Sequence, residues 1–111
     1  LAPVKAAIFP IVKTDKQLVK MAEEIFKSLM KEFHVVYDES GSVGRRYSRN
    51  DEIGTPYCIT LDDKSIKQKD VTIRDRDNKK QIRIKVADLK ETLRKLISSE
   101  ILFEKSGKIL K

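Results

Sequence analysis

The chain has 111 residues, with 24 Lys plus Arg against 17 Asp plus Glu and a formal net charge of +7. This length allows one domain around a single core, and the positive charge favours a polyanionic partner, nucleic acid before an anionic membrane. The single cysteine, Cys58, excludes an internal disulfide and a cysteine-cluster metal site, and no apolar run approaches the ~18 residues of a membrane span, so we expect a cytoplasmic protein without membrane contact.

The first third of the chain predicts a β-α-β unit. Residues 5–12 form a mostly apolar run that is typical of a strand covered on both faces. Thr14 stands three residues before Gln17, the spacing of a capping box, and apolar residues recur at helical spacing from there to residue 33. Residues 34–38 are β-prone and predict the second strand.

A short helix and a third strand follow. Ser42 is a suitable helix N-cap, and Gly54 is placed to end that helix in the left-handed conformation. Residues 56–61 predict a strand, whereas residues 62–70 are polar and without periodicity, so we expect a loop there.

The last part of the chain predicts an antiparallel hairpin and a final helix. Strands over residues 71–76 and 81–86 flank a turn at Asp77-Asn78. Asp88 and Glu91 have capping-box spacing before an apolar stripe. The predicted order is therefore β-α-β-α-β-β-β-α, an α/β layer fold with a mixed sheet.

The pattern predicts one domain over residues 1–103, followed by a C-terminal tail over residues 104–111. The sequence begins at Leu1 without a methionine, as an excised piece of a longer protein or a processed chain would.

The predicted hairpin has one apolar and one cationic side, because side chains alternate along a strand. The apolar side, which we expect to face the core, carries Val71, Ile73, Ile82, Ile84 and Val86. The cationic side carries Thr72, Arg74, Arg76, Gln81, Arg83 and Lys85. A basic side of this kind suits RNA, but a solvated polar face is ordinary in antiparallel sheets. Within it, Arg74, Asp75, Arg76 and Asp77 combine donors with carboxylates, which suits the edge of cytosine; an Arg-Asp ladder that fixes the turn is equally compatible with the pattern.

The start of the predicted second helix is a further candidate site. Free backbone N–H groups there favour a phosphate, and Arg45, Arg46 and Arg49 would strengthen the attraction. Tyr47 has the chemistry to stack on a base, although packing is the more common role of a tyrosine at this spacing. The segment lacks the further residues of a P-loop or a dinucleotide fingerprint.

The sequence contains no catalytic constellation. Asp51 and Glu52 are adjacent, so a helix would point them in different directions, and pairing with nearby arginines is expected instead. His34 stands alone and is expected to be structural. Cys58 lies in a β-prone run and is expected to be buried and inert.

Residues 42–57 and 71–77 closely resemble the C-terminal domain of glycyl-tRNA synthetase of the archaeal and eukaryotic-like type, through the blocks G-R-R-Y, D-E-I-G-T-P and R-D-R-D in family order. The resemblance implies the class IIa anticodon-binding fold, a mixed sheet of about five strands with three helices. It also implies a tRNA-Gly anticodon loop as partner, whose last two anticodon bases are cytosines.

In such a synthetase a separate catalytic domain, absent here, activates glycine with ATP and Mg, and the parent is a homodimer. The resemblance thus implies no cofactor and no catalytic residue in this chain. The candidate RNA-binding residues are Arg45, Arg46, Tyr47, Arg49, Asp51, Glu52, Arg74, Asp75, Arg76, Asp77 and Arg83. The alternatives are a free-standing accessory or protein-interaction domain and, last, a phosphate-binding enzyme.

Overall fold

A computed structural model of the chain describes residues 4–39, 41–77, 79–99, 103 and 106–110. Six strands form one sheet: β1 (Ala6–Pro10), β2 (Val35–Tyr37), β3 (Tyr57–Leu61), β4 (Asp70–Asp75), β5 (Gln81–Lys85) and β6 (Lys108–Leu110). Four helices connect them: α1 (Lys16–Leu29), α2 (Val43–Glu52), α3 (Asp63–Gln68) and α4 (Val86–Ile97).

The sheet is mixed, with the strand order β2-β1-β3-β4-β5-β6. β1 pairs in parallel with β2 and β3, and every later pair is antiparallel. The α/β class and the predicted β4–β5 hairpin are therefore confirmed, whereas the sheet has six strands instead of about five. Asn78, part of the predicted turn, lies outside the described residues.

Most of the core lies on one face of the sheet, which α1, α3 and α4 cover. Helix residues such as Leu18 and Leu93 pack there against inward strand residues such as Ile59 and Ile73, and all four are almost fully buried. The opposite face is covered only in part, by α2, whose Val43 and Tyr47 pack on Ala7, Phe9 and Cys58. The rest of that face, formed by β3, β4 and β5, lies beside α2.

Two elements were not predicted. α3 occupies the segment expected to be a loop; the Asp62 side chain accepts from the backbone of the first turn, and the Ser65 hydroxyl accepts from the Asp62 N–H at 3.0 Å. The helix is too short for periodicity to reveal it. β6 lies where a tail was expected, and pairs with β5 so that Ile82 is opposite Ile109.

Helix ends follow the predicted signals only partly. Ser42 caps α2 and Gly54 follows it with φ of 81°, as predicted. The N-cap of α1 is Asp15 instead of Thr14, because its carboxylate accepts from the N–H groups of Gln17 and Leu18. α4 begins at Val86, directly after β5, so the Asp88 cap is wrong.

Candidate functional site

Arg46 attaches α2 to the sheet. Its side chain is 2% exposed, and its guanidinium donates to the Pro10 carbonyl at 2.7 Å and more weakly to the Ser42 carbonyl at 3.4 Å. The same group lies 5.1 Å from the centre of the Phe9 ring, within cation–π range. Arg46 therefore holds the start of α2 against the end of β1 and is not presented to a ligand.

Four side chains at the other end of α2 form what we call the Arg74 cluster: Tyr47, Asp51, Arg74 and Lys79. Arg74 projects from β4 on the α2 side of the sheet, and its guanidinium lies 4.6 Å from the centre of the Tyr47 ring. Asp51 accepts from Arg74 at 3.3 Å and from Lys79 Nζ at 2.7 Å. One carboxylate thus joins α2, β4 and the β4–β5 turn.

The electrostatics of this cluster favour the charged form of Asp51. Burial opposes ionisation, but the hydrogen bond from Lys79 and the charge of Arg74 outweigh it and lower the pKa of Asp51. Burial raises the pKa of Tyr47, against a smaller lowering by a hydrogen bond with Thr60. The cluster therefore combines an ionised carboxylate, two cations and a neutral phenol.

Arg76 lies at the edge of the cluster, beside the glycine that ends α2. Its backbone N–H donates to the Pro56 carbonyl at 2.9 Å, and its Nη1 is 3.5 Å from where a Cβ on Gly54 would lie. Nη2 is 3.2 Å from Asp77, while the buried Nε has no hydrogen-bond partner among the described residues. The Arg76 side chain is 39% exposed against 15% for Arg74, so Arg76 is the more accessible arginine.

The R-D-R-D block does not form a single site. Asp75 lies opposite Tyr57 on the face that α1 and α4 cover, whereas Arg74 lies opposite Cys58 on the α2 side. The Asp75 carboxylate accepts from the backbone N–H of Asp77 at 2.8 Å. Asp75 thus shapes the turn. Asp51, expected to pair with an arginine near it in the sequence, pairs instead with Arg74 of this block.

The remaining candidates lie apart. Arg83, in the middle of β5, donates to Asp70 at 2.8 Å and to Asp62. Arg49 pairs with Asp38. Arg45 and Glu52 are exposed, and neither side chain forms a hydrogen bond or ion pair with a described residue.

Sequence reasoning missed the residues that complete these contacts. Lys79 was not a candidate, although it contacts Asp51, and neither were Asp38, Asp62 and Asp70. These partners are 11 to 28 positions apart in the chain, and no local pattern pairs them.

Chemically, this end of the sheet offers guanidinium donors next to carboxylate acceptors around an aromatic ring. Hydrogen-bonding edges of bases and single phosphates are the partners that such groups bind. Within the described ranges, no cluster of His, Cys, Asp and Glu could hold a metal ion. Nor is any helix in those ranges long and apolar enough to cross a bilayer.

Comparison with known proteins gives a consistent result. The family described as "Anticodon binding domain" matches residues 5–96. A glycine–tRNA ligase of Thermococcus sibiricus is 53% identical over 98 residues, which are 87% of this chain and 17% of that protein. Glycine–tRNA ligases of Rhodopirellula baltica and Bacillus anthracis are 54% and 52% identical, over 80% and 87% of the chain and 16% and 20% of their own lengths. The chain thus spans about a fifth or less of these curated relatives.

Proposed function

The chain belongs to the anticodon-binding domain family, and we propose that it recognises the anticodon loop of a glycine tRNA. Its relatives named glycine–tRNA ligase are several times longer, so we further propose that this domain serves a cytoplasmic, homodimeric synthetase. In that proposal ATP and Mg belong to the catalytic domain, and this chain uses no cofactor.

The observation that carries the proposal is the position of Arg76 beside Asp77 and the Arg74 cluster. Cytosine offers an amino donor at N4, which a carboxylate can accept, and acceptors at N3 and O2, which a guanidinium can satisfy. Arg76 and Asp77 present this donor and acceptor pair at the surface, 3.2 Å apart. Their exposed ion pair contributes little, ~0–1 kcal/mol, so a base can replace it at small cost.

We assign different roles to the two arginines. The sequence pattern made both Arg74 and Arg76 candidates for reading bases, but the guanidinium of Arg74 is occupied by Asp51 and the Tyr47 ring. Those contacts support a positioning role for Arg74 and a base-reading role for Arg76. Glu52 is exposed at the end of α2, and its carboxylate is a further acceptor for the amino group of a base.

The test is titration of the chain with a glycine anticodon stem-loop and with one whose two cytosines are replaced, at two salt concentrations. We expect a preference for the native loop. Equal affinity for both loops, with strong salt sensitivity, would contradict base reading by this domain. Weak affinity alone would not, because a full synthetase holds the tRNA at a second site and raises the effective concentration.

Variants separate the two roles. Arg76→Ala is expected to cost about 1–3 kcal/mol on the native loop, roughly 5- to 150-fold, and to lose the preference. Arg74→Ala is expected to weaken binding of both stem-loops to the same extent. Arg94→Ala is the matched control: it removes the same charge from α4, on the opposite face, where Arg94 pairs with Glu32 at 2.7 Å. Equal effects of Arg76→Ala and Arg94→Ala would contradict the base-reading role of Arg76.

A further inference from the structure

The positive charge of the chain is distributed unevenly between its two faces. On the α2 side, four arginines pair with carboxylates, in Arg49–Asp38, Arg74–Asp51, Arg76–Asp77 and Arg83 with Asp62 and Asp70, whereas the exposed Arg45 forms no such pair with a described residue. In α1 and α3 and in the residues directly before and after them, eight exposed lysines form no ion pair with any described residue. Lys27 and Lys31 lie at the end of α1 and after it, and the other six lie at the start of α1 and on and beside α3: Lys13, Lys16, Lys20, Lys64, Lys67 and Lys69. We call these six the lysine surface.

Packing of α1 against α3 brings the lysines of the two helices to the same side of the sheet. Lys20 and Lys69 line one groove of about 160 Å³ between the two helices, together with Glu24. Lys13 and Lys64 follow the carboxyl ends of β1 and β3, which are parallel neighbours, so both lie at the same edge of the sheet.

The carboxylates on this surface are fewer than the lysines. Asp15, Glu24 and Asp63 lie on it, and Asp15 is engaged by backbone N–H groups at the start of α1. Glu23 acts electrostatically on Tyr37, which places it on the side of α1 towards β2. Six lysines against three carboxylates leave an excess of positive charge on the lysine surface.

The residue types match a phosphate chain better than a base. Lysine is a flexible point charge that attracts phosphate without demanding the bidentate geometry of arginine. Position 69 carries a lysine although its φ of 55° is a backbone conformation that favours glycine. Groups of this kind neutralise phosphates with little dependence on sequence.

We propose that the lysine surface binds the sugar-phosphate backbone of the same RNA, at a position outside the anticodon loop. The inference rests on the proposed function, since it assumes that the domain binds tRNA. It assigns two tasks to two faces: the Arg74 cluster with Arg76 reads bases, and the lysine surface supplies salt-dependent affinity.

The test compares two triple variants of the 111-residue chain in titrations with a glycine tRNA transcript between about 50 and 200 mM salt. The first is Lys20→Gln, Lys67→Gln and Lys69→Gln. The matched control, Lys27→Gln, Lys31→Gln and Lys90→Gln, removes three charges from the second half of α1, the residues after it and α4. Thermal unfolding checks that both variants stay folded.

We expect the first variant to flatten the slope of log affinity against log salt by about 2 to 3, at ~0.7–0.9 per lost phosphate contact. The ratio of the affinity of the unmodified chain to that of this variant then falls roughly 20- to 40-fold across that salt range. The preference for the native anticodon should persist, and the control should flatten the slope by less than half as much.

Two results would overturn the inference: no flattening by the first variant, or equal flattening by both. Either is distinct from failure of the proposed function, in which the unmodified chain binds no tRNA at low salt or does not distinguish the anticodon with replaced cytosines.

Discussion

Replacing the buried Arg46 by methionine should destabilise the domain markedly. Methionine keeps most of the apolar length of the side chain but removes the donors to the Pro10 and Ser42 carbonyls and the cation over the Phe9 ring. The variant therefore tests whether the guanidinium fastens α2 to the sheet or merely fills space beside it.

The magnitude follows from these contacts. Leaving a buried carbonyl without its donor costs about 1–3 kcal/mol, and a buried cation–π contact contributes ~0.5–2 kcal/mol. Part of this loss is offset, because methionine avoids the cost of burying a charge. We expect a net loss of about 2–3 kcal/mol, which lowers the melting temperature by roughly 8–12 °C in a domain of this size.

Thermal unfolding followed by circular dichroism measures the effect, with Arg45→Met as the matched control. Arg45 is the neighbouring arginine but is exposed, so its replacement should change stability by no more than about 0.5 kcal/mol. If Arg46→Met melts within about 2 °C of the unmodified chain, or if both variants lose the same stability, the role assigned to Arg46 is wrong.

Three further predictions concern single residues. Gly54→Ala should lower the free energy of unfolding in urea by ~1–2 kcal/mol, because the backbone φ of Gly54 is 81°. Gly44→Ala, in α2 with open space around the residue, should raise the free energy of unfolding by up to about 1 kcal/mol. Equal effects of the two substitutions would contradict this reasoning. Burial raises the pKa of Cys58 to about 12, so its thiol should resist alkylation at about pH 8 until denaturant is added; rapid reaction in buffer would contradict its burial. Burial opposes ionisation of Asp62, but the hydrogen bond and charge of Arg83 outweigh burial and lower the pKa of Asp62 from 3.8. The stability that the ionised carboxylate contributes is present above about pH 4 and is lost as the pH falls through the folded-state pKa. The Asp62→Asn variant should therefore lose less stability than the unmodified chain between about pH 5 and 2.

The sequence predicted the elements whose signals are long and local. α1 has an apolar stripe over several turns, and the alternation in β4 and β5 correctly assigned Ile73 and Ile82 to the core. α3 escaped because a helix of six residues offers only its caps as a signal. β6 escaped because a three-residue strand is stabilised by pairing with β5, which is a tertiary effect.

The site was harder to predict than the fold, for a geometric reason. The R-D-R-D block reads as one unit in the sequence, yet the strand period of two places Arg74 and Asp75 on opposite faces. Conversely, Asp51 and Lys79 are 28 positions apart and meet only because α2 ends beside the β4–β5 turn. Motifs thus located the region, while the pairing within it depended on the topology of the sheet.

Under the two proposals above, the arginines that are paired with carboxylates contribute little to the overall affinity for RNA. An arginine already paired with a carboxylate must exchange that partner for RNA, so it gains little net electrostatic energy but keeps a fixed orientation. Fixed orientation is what discrimination between bases requires. Lysines without partners release counterions on binding and gain affinity that falls with salt. A domain that both holds and reads RNA therefore benefits from separating the two kinds of cation, as the Arg74 cluster and the lysine surface are separated here.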